Sequence, residues 1–98
     1  MPNKMKRKPI YIIQIYRRVG KDKNEPLDHI FGGFSTCAEA ETWIKLNRGS
    51  ELNSFIRGYK REKLFFAILE VSFKGVFDHP IAHKAIDLDG KLTSFFKG

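Results

Sequence analysis

The chain predicts an α+β fold: a single small domain with one main helix packed on one face of an antiparallel sheet of four to five strands. Three observations carry that prediction. Residues 9–19 and 64–74 place β-branched and aromatic side chains at period 2, the spacing of a strand with a buried face. Between them, residues 36–47 combine a capped start with apolar residues at helical spacing. Near the end, Asp89-Gly90 separates two alternating segments, the strongest short hairpin signal.

Taken in order, residues 1–8 carry Lys4, Lys6, Arg7 and Lys8 and read as a basic, flexible tail ahead of a domain spanning 9–98. The first strand, 9–19, puts Tyr11, Ile13, Ile15 and Val19 on one side and Ile10, Ile12, Gln14, Tyr16 and Arg18 on the other. Residues 20–26 (GKDKNEP) are an open hairpin loop, too long for a tight turn. Residues 27–34 form a shorter second strand, and Gly32-Gly33 marks a bulge or a close approach of the helix.

The helix that follows is the organising element. Thr36 can accept from the Glu39 N–H while the Glu39 carboxylate reaches back to the Thr36 N–H, a capping box that satisfies donors of the first turn. Cys37, Ala40, Ile44 and Asn47 then fall on one stripe, with Trp43 beside them. Gly49 stops the helix, and Ser50 caps a further turn or two in which Leu52, Phe55 and Ile56 share a face, closed by Gly58. Residues 59–63 are a charged turn.

In the strand 64–74, Phe65, Ala67, Leu69, Val71 and Phe73 make one wholly apolar face, while Leu64, Phe66 and Ile68 give way to Glu70, Ser72 and Lys74 on the other. A strand apolar on both faces at one end belongs at the centre of its sheet. Residues 75–80 form a loop, and 82–88, the type I′ turn Asp89-Gly90 and 91–96 form a terminal hairpin. The order is β-β-α-β-β-β, with a short second helix after the first.

Composition limits the function classes. Ninety-eight residues make one domain, and a hydrophobic fraction of 42%, with nine phenylalanines, is enough for an aromatic core. The formal charge of +7 favours phosphate backbones or an acidic protein as partner. A single cysteine rules out an internal disulfide and fits a reducing compartment, hence the cytoplasm. No apolar run approaches the roughly 20 residues that span a bilayer, and Gln14 and Arg17-Arg18 break the signal-peptide pattern, so no membrane partner is expected.

Two basic clusters interleave with aromatics. Arg17, Arg18, Lys21 and Lys23 follow Tyr16, and Arg57, Lys60, Arg61 and Lys63 flank Tyr59. Such sets neutralise phosphates while a tyrosine stacks on a base. Arg57-Gly58-Tyr59 begins like the RNA-recognition-motif signature, but Lys60, Arg61 and Glu62 do not continue it.

The other candidates carry less chemistry. His79 and His83 have the i, i+4 spacing of paired ligands, but a third would have to come from His29 or Asp87, so no metal and no cofactor is expected. Cys37, at the first helical position, has no local histidine to act as base and reads as a small buried thiol. Asp87-Leu88-Asp89-Gly90 resembles a calcium loop only superficially, since Gly98 stands where glutamate is needed. Gly32-Gly33 lacks the spacing and lysine of a phosphate-binding loop. No carboxylate pair stands out as acid and base, so an enzyme is not expected.

Gly33-Phe34-Ser35-Thr36, Glu39-Ala40 and Trp43 resemble the strand-to-helix segment of AP2-like, arm-type DNA-binding domains of phage and transposon integrases. The same segment is similar to one in small bacterial and phage domains of unassigned role. In the integrase domains a three-stranded sheet reads DNA and the helix packs behind it. The resemblance therefore implies DNA binding, although here two strands precede the helix and three follow. It carries over no contact residue.

Two functional expectations result. One is a non-catalytic module contacting nucleic acid through its exposed sheet face and basic loops. The other is a protein-binding accessory factor, an inhibitor, immunity-type or phage-encoded regulator, that docks on an acidic partner. For the second, an edge strand at 91–96 would suit strand addition or a homodimer.

Overall fold

The computed structural model describes residues 9–21, 23–48, 58–71 and 80–95. Two long strands, β1 (Ile10–Arg18) and β2 (Asn24–Phe34), lead into the helix α1 (Cys37–Asn47). A short 3-10 turn at Arg61–Lys63 then precedes β3 (Leu64–Val71), β4 (Ile81–Asp87) and β5 (Leu92–Thr93). The strands form one five-stranded sheet in the order β2-β1-β3-β4-β5, and every neighbouring pair is antiparallel. The architecture is α+β, with α1 on one face.

The middle position of β3 follows from its composition. Leu64 to Leu69 are all buried, and only a strand with neighbours on both edges and cover on both faces can bury six consecutive apolar residues. Leu64, Phe66 and Ile68 point towards α1 and pack with Ile13, Ile15, Leu27, Ile86 and Leu88 beneath Ala40 and Ile44. Phe65, Ala67 and Leu69 point the other way and form a second core with Ala85, against which Ile12, Tyr16 and Phe95 pack.

The entry into α1 is the predicted capping box. Thr36 Oγ1 accepts from the Glu39 N–H at 3.1 Å, and Glu39 Oε1 accepts from the Thr36 and Ser35 N–H groups, each at 3.1 Å. These bonds fix the helix start, so Ala40 and Ile44 face the sheet and are fully buried. Trp43 lies 4.7 Å from the Phe31 ring and 6.3 Å from the Phe34 ring, which docks the helix on the end of β2. The Lys84 ammonium and the Glu41 carboxylate tie it to β4.

At Gly32-Gly33 both sequence readings hold in part. Tyr11 pairs with Phe34 and Ile12 with Gly32, which leaves Gly33 as the extra residue of a bulge. Gly32 has φ of 130°, and a Cβ there would come within 3.0 Å of the Tyr11 carbonyl. The backbone that approaches is that of β1, not the helix.

Several boundaries differ from the sequence prediction. The loop expected over 20–26 is shorter, because β2 starts at Asn24: Asn24 pairs with Arg18, Glu25 with Arg17 and Pro26 with Tyr16. Pro26 is tolerated because β2 is an edge strand. A second irregularity separates the pairs Gln14–Ile30 and Tyr16–Pro26, and the buried Gln14 amide donates to the Leu27 carbonyl within it.

The terminal hairpin does not turn on a two-residue type I′ loop. Among non-glycine described residues none has positive φ, so Asp89 cannot occupy such a turn. Instead Gly90 N–H bonds to the Asp87 carbonyl at 3.0 Å, and Asp87 N–H to the Lys91 carbonyl at 2.8 Å, around a three-residue loop. Only Gly90 has positive φ there, 89°. Asp87 Oδ1 accepts from the Asp89 and Lys91 N–H groups, which replaces the ladder bonds of a tighter turn. The extra residue, Leu88, is buried in the core under α1. The strand expected over 91–96 pairs only at Leu92–Thr93.

The tail 1–8, the helical turns expected over 50–57, residues 72–74 of the third strand, the loop 75–79 with His79, and Phe96 lie outside the described residues.

Candidate nucleic-acid interface

Arg17 and Arg18 end β1, and the segment Gly58–Lys63 leads into β3 beside it. Because β1 and β3 are paired, with Arg17 opposite Leu64, the two predicted clusters meet. Arg17, Arg18, Val19, Gly58, Tyr59, Lys60 and Lys63 line one recess of about 340 Å³. The sequence separation of more than forty residues is closed by a single antiparallel register.

Within the recess the cations are not equivalent. Arg17 pairs with Glu25 on β2, and its guanidinium lies 5.6 Å from the centroid of the Tyr59 ring, within cation–π range. Tyr59 remains 37% exposed. Among the described residues Lys60 and Lys63 find no ion-pair partner, and both are exposed. They are the free positive charges of the site.

Arg18 is committed to the fold. Its Nη1 donates to the Phe95 carbonyl at 3.2 Å, and its Nη2 to Thr93 Oγ1 at 3.1 Å and to the Ser94 carbonyl at 2.5 Å. Its guanidinium also lies 4.4 Å above the Phe65 ring. Partial burial lowers its pKa from the ordinary value.

The remaining predicted residues sit apart from the recess walls. Lys21 and Lys23 are exposed in the β1–β2 connection, which the bond from Val19 N–H to the Lys23 carbonyl closes at 3.0 Å. Arg61 faces the hairpin turn instead, with Nη2 3.3 Å from the Leu88 carbonyl and 3.9 Å from Asp89 Oδ1. Arg57 lies outside the described residues. The expected sheet face is also not an open platform: Phe65, Ala67 and Leu69 at its centre are at most 7% exposed.

Residues that sequence reasoning missed belong to the cover of that face. Phe95 meets Tyr16 edge-on at 5.1 Å and Phe65 at 5.5 Å, and Asn24 Nδ2 donates to the Phe95 carbonyl at 2.5 Å. Burial raises the Tyr16 pKa. No local pattern announces these contacts, because their partners lie more than 70 residues apart. A larger apolar groove of about 410 Å³ runs along α1 between Phe34, Ala38, Thr42, Trp43 and Leu46.

The chain matches no family model, no curated protein and no solved structure.

His83 and Cys37 have structural surroundings. His83 Nε2 lies 2.5 Å from Glu70 Oε1, and its ring meets Tyr11 edge-on at 5.5 Å. Cys37 is partly buried, and burial raises its pKa, with Lys84 opposing and Glu41 reinforcing the shift. Among the described residues no group of three His, Cys, Asp or Glu side chains could hold a metal ion. No described helix is long and apolar enough to cross a membrane.

Proposed function

We propose that this protein is a non-catalytic nucleic-acid-binding module and that the recess between β1 and the Gly58–Lys63 segment is its phosphate-binding site. The observation that carries this reading is the meeting of Arg17 with Tyr59, Lys60 and Lys63 in one recess. Lys60 and Lys63 neutralise phosphates, Lys21 and Lys23 extend the field along the neighbouring loop, and Tyr59, backed by Arg17, offers an aromatic face to a base. Arg18 and Arg61 contribute charge but few free donors. Binding of this kind is strongly salt-dependent and reads little sequence. The single free thiol agrees with a cytoplasmic site of action.

A salt titration of oligonucleotide binding tests the proposal. Affinity is expected to fall linearly on logarithmic axes as salt rises. Absence of binding at low salt, or binding indifferent to salt, would end it.

A second reading is an accessory factor that adds a strand to an acidic protein or to a second copy. The observation favouring it is the edge strand β2, eleven residues long and carrying Ile30 at 59% exposure. The two-residue β5 is a poorer template than the edge expected at 91–96, because the carbonyls of Ser94 and Phe95 already accept from Arg18 and Asn24. A concentration-independent monomer in sedimentation would remove the homodimer form of this reading.

A further inference from the structure

Tyr16 and Phe65 stand side by side on β1 and β3 with ring centroids 5.6 Å apart and planes only 15° from parallel. Together they make a two-ring ledge on the sheet face opposite α1. Phe95 stands on that ledge, at 65° to the Tyr16 ring and 80° to the Phe65 ring. Arg18 borders the ledge at Phe65 and also lines the basic recess, so the aromatic surface and the phosphate-binding site share a wall.

The hold on Phe95 differs from the rest of the sheet. Beyond the two-residue pairing of β5, the segment Thr93–Phe95 is held through side-chain donors: Arg18 to Thr93, Ser94 and Phe95, and Asn24 to Phe95. A segment fixed by side chains at its margin opens at lower cost than one stitched into a ladder. The donors that hold it are also the groups a nucleotide would use, since a guanidinium binds phosphate as readily as it binds a carbonyl.

We infer that Thr93–Phe95 is a strap and that Phe95 occupies the seat of an unpaired nucleobase, so that single-stranded nucleic acid binds by displacing it. The inference rests on the phosphate-binding role proposed for the recess. A strand whose phosphates lie on Lys60 and Lys63 passes the shared Arg18 wall, and its next base reaches the Tyr16–Phe65 ledge once the strap has lifted. Stacking on two rings suits any base, so the gate selects unpaired strands rather than sequence. A duplex, whose bases are already stacked, gains nothing from the ledge and engages the recess alone.

Binding of a labelled oligothymidine and of a duplex of equal length, measured by anisotropy at low salt, tests this in the whole chain. The variants are Asn24→Ala, Phe95→Ala and Lys60→Ala/Lys63→Ala. Asn24→Ala loosens the strap without touching the ledge, and remains informative if Phe95→Ala fails to fold. Asn24→Ala is expected to tighten single-strand binding by about three- to tenfold, the population shift that loss of one strap bond gives, and to leave duplex binding within about twofold. Nuclear Overhauser contact between Tyr16 and Phe95 is expected in the free protein and lost in the oligothymidine complex. If the lysine variant weakens binding while Asn24→Ala leaves single-strand affinity unchanged, or if the Tyr16–Phe95 contact persists in the complex, the strap is a fixed cover and the inference falls alone. If neither oligonucleotide binds wild type or any variant, the phosphate-binding reading falls with it.

Discussion

The Arg18 guanidinium lies 4.4 Å above the Phe65 ring, at the point where the sheet's second core meets its basic edge. One side chain thus stacks on a core aromatic, accepts the cost of partial burial and binds three groups of the Thr93–Phe95 segment. The charge is spent inside the molecule, which explains why a formally basic cluster presents fewer free cations than its sequence suggests.

Replacing Arg18 should therefore destabilise the fold more than a surface arginine would. Arg18→Ala loses a cation–π contact and charge-assisted bonds to main-chain acceptors, an expected cost of about 2–4 kcal/mol in urea unfolding. Arg18→Lys should recover little of it, since an ammonium cannot serve three acceptors and a ring at once.

The capping box gives a second, smaller stability effect. Thr36→Ala removes the acceptor for the Glu39 N–H and should cost about 1 kcal/mol by the same measurement. The circular dichroism of the folded protein should hardly change, because Ala40 and Ile44 still hold α1 on the sheet.

Much of this architecture was legible in the sequence, for identifiable reasons. Thr36 and Glu39 act on residues three positions away, so their pattern reports their structure directly. Six consecutive apolar residues in β3 demanded a central strand. The failures are equally specific. Asn24–Pro26 read as loop because polar residues at a β2 edge are held by cross-strand partners, Glu25 by Arg17 and Asn24 by Phe95, that no local window contains. Asp89-Gly90 signalled a turn correctly, yet Leu88 was drawn into the core and lengthened the loop by one residue. Arg17, Tyr59, Lys60 and Lys63 were named as a site in advance, whereas the diversion of Arg18 and Arg61 to backbone carbonyls depends on tertiary contacts alone.

Stability should fall in alkali. Burial raises the pKa of Cys37 from its ordinary 9.0 and of Tyr16 from 10.0, and the bond to Glu41 raises that of Lys84 from 10.5. Each group keeps its proton in the native state after the unfolded chain has lost it, so the unfolded state binds fewer protons and stability declines as pH rises. These contributions are complete below pH 9.0 and are lost progressively as pH climbs through the folded values. Urea midpoints should therefore drop above pH 9.0, and in Cys37→Ala the drop should begin nearer the tyrosine's 10.0.

The most direct test of the proposed phosphate site compares two sets of cations on the same short segment. Lys60 and Lys63 line the recess, while Arg61 between them faces Leu88 and Asp89. The slope of log affinity against log salt for oligonucleotide binding should shrink by roughly 1.4–1.8 in Lys60→Ala/Lys63→Ala. In Arg61→Ala it should stay close to wild type. Equal losses in both variants, or an unchanged slope in the lysine pair, would contradict the assignment of the recess.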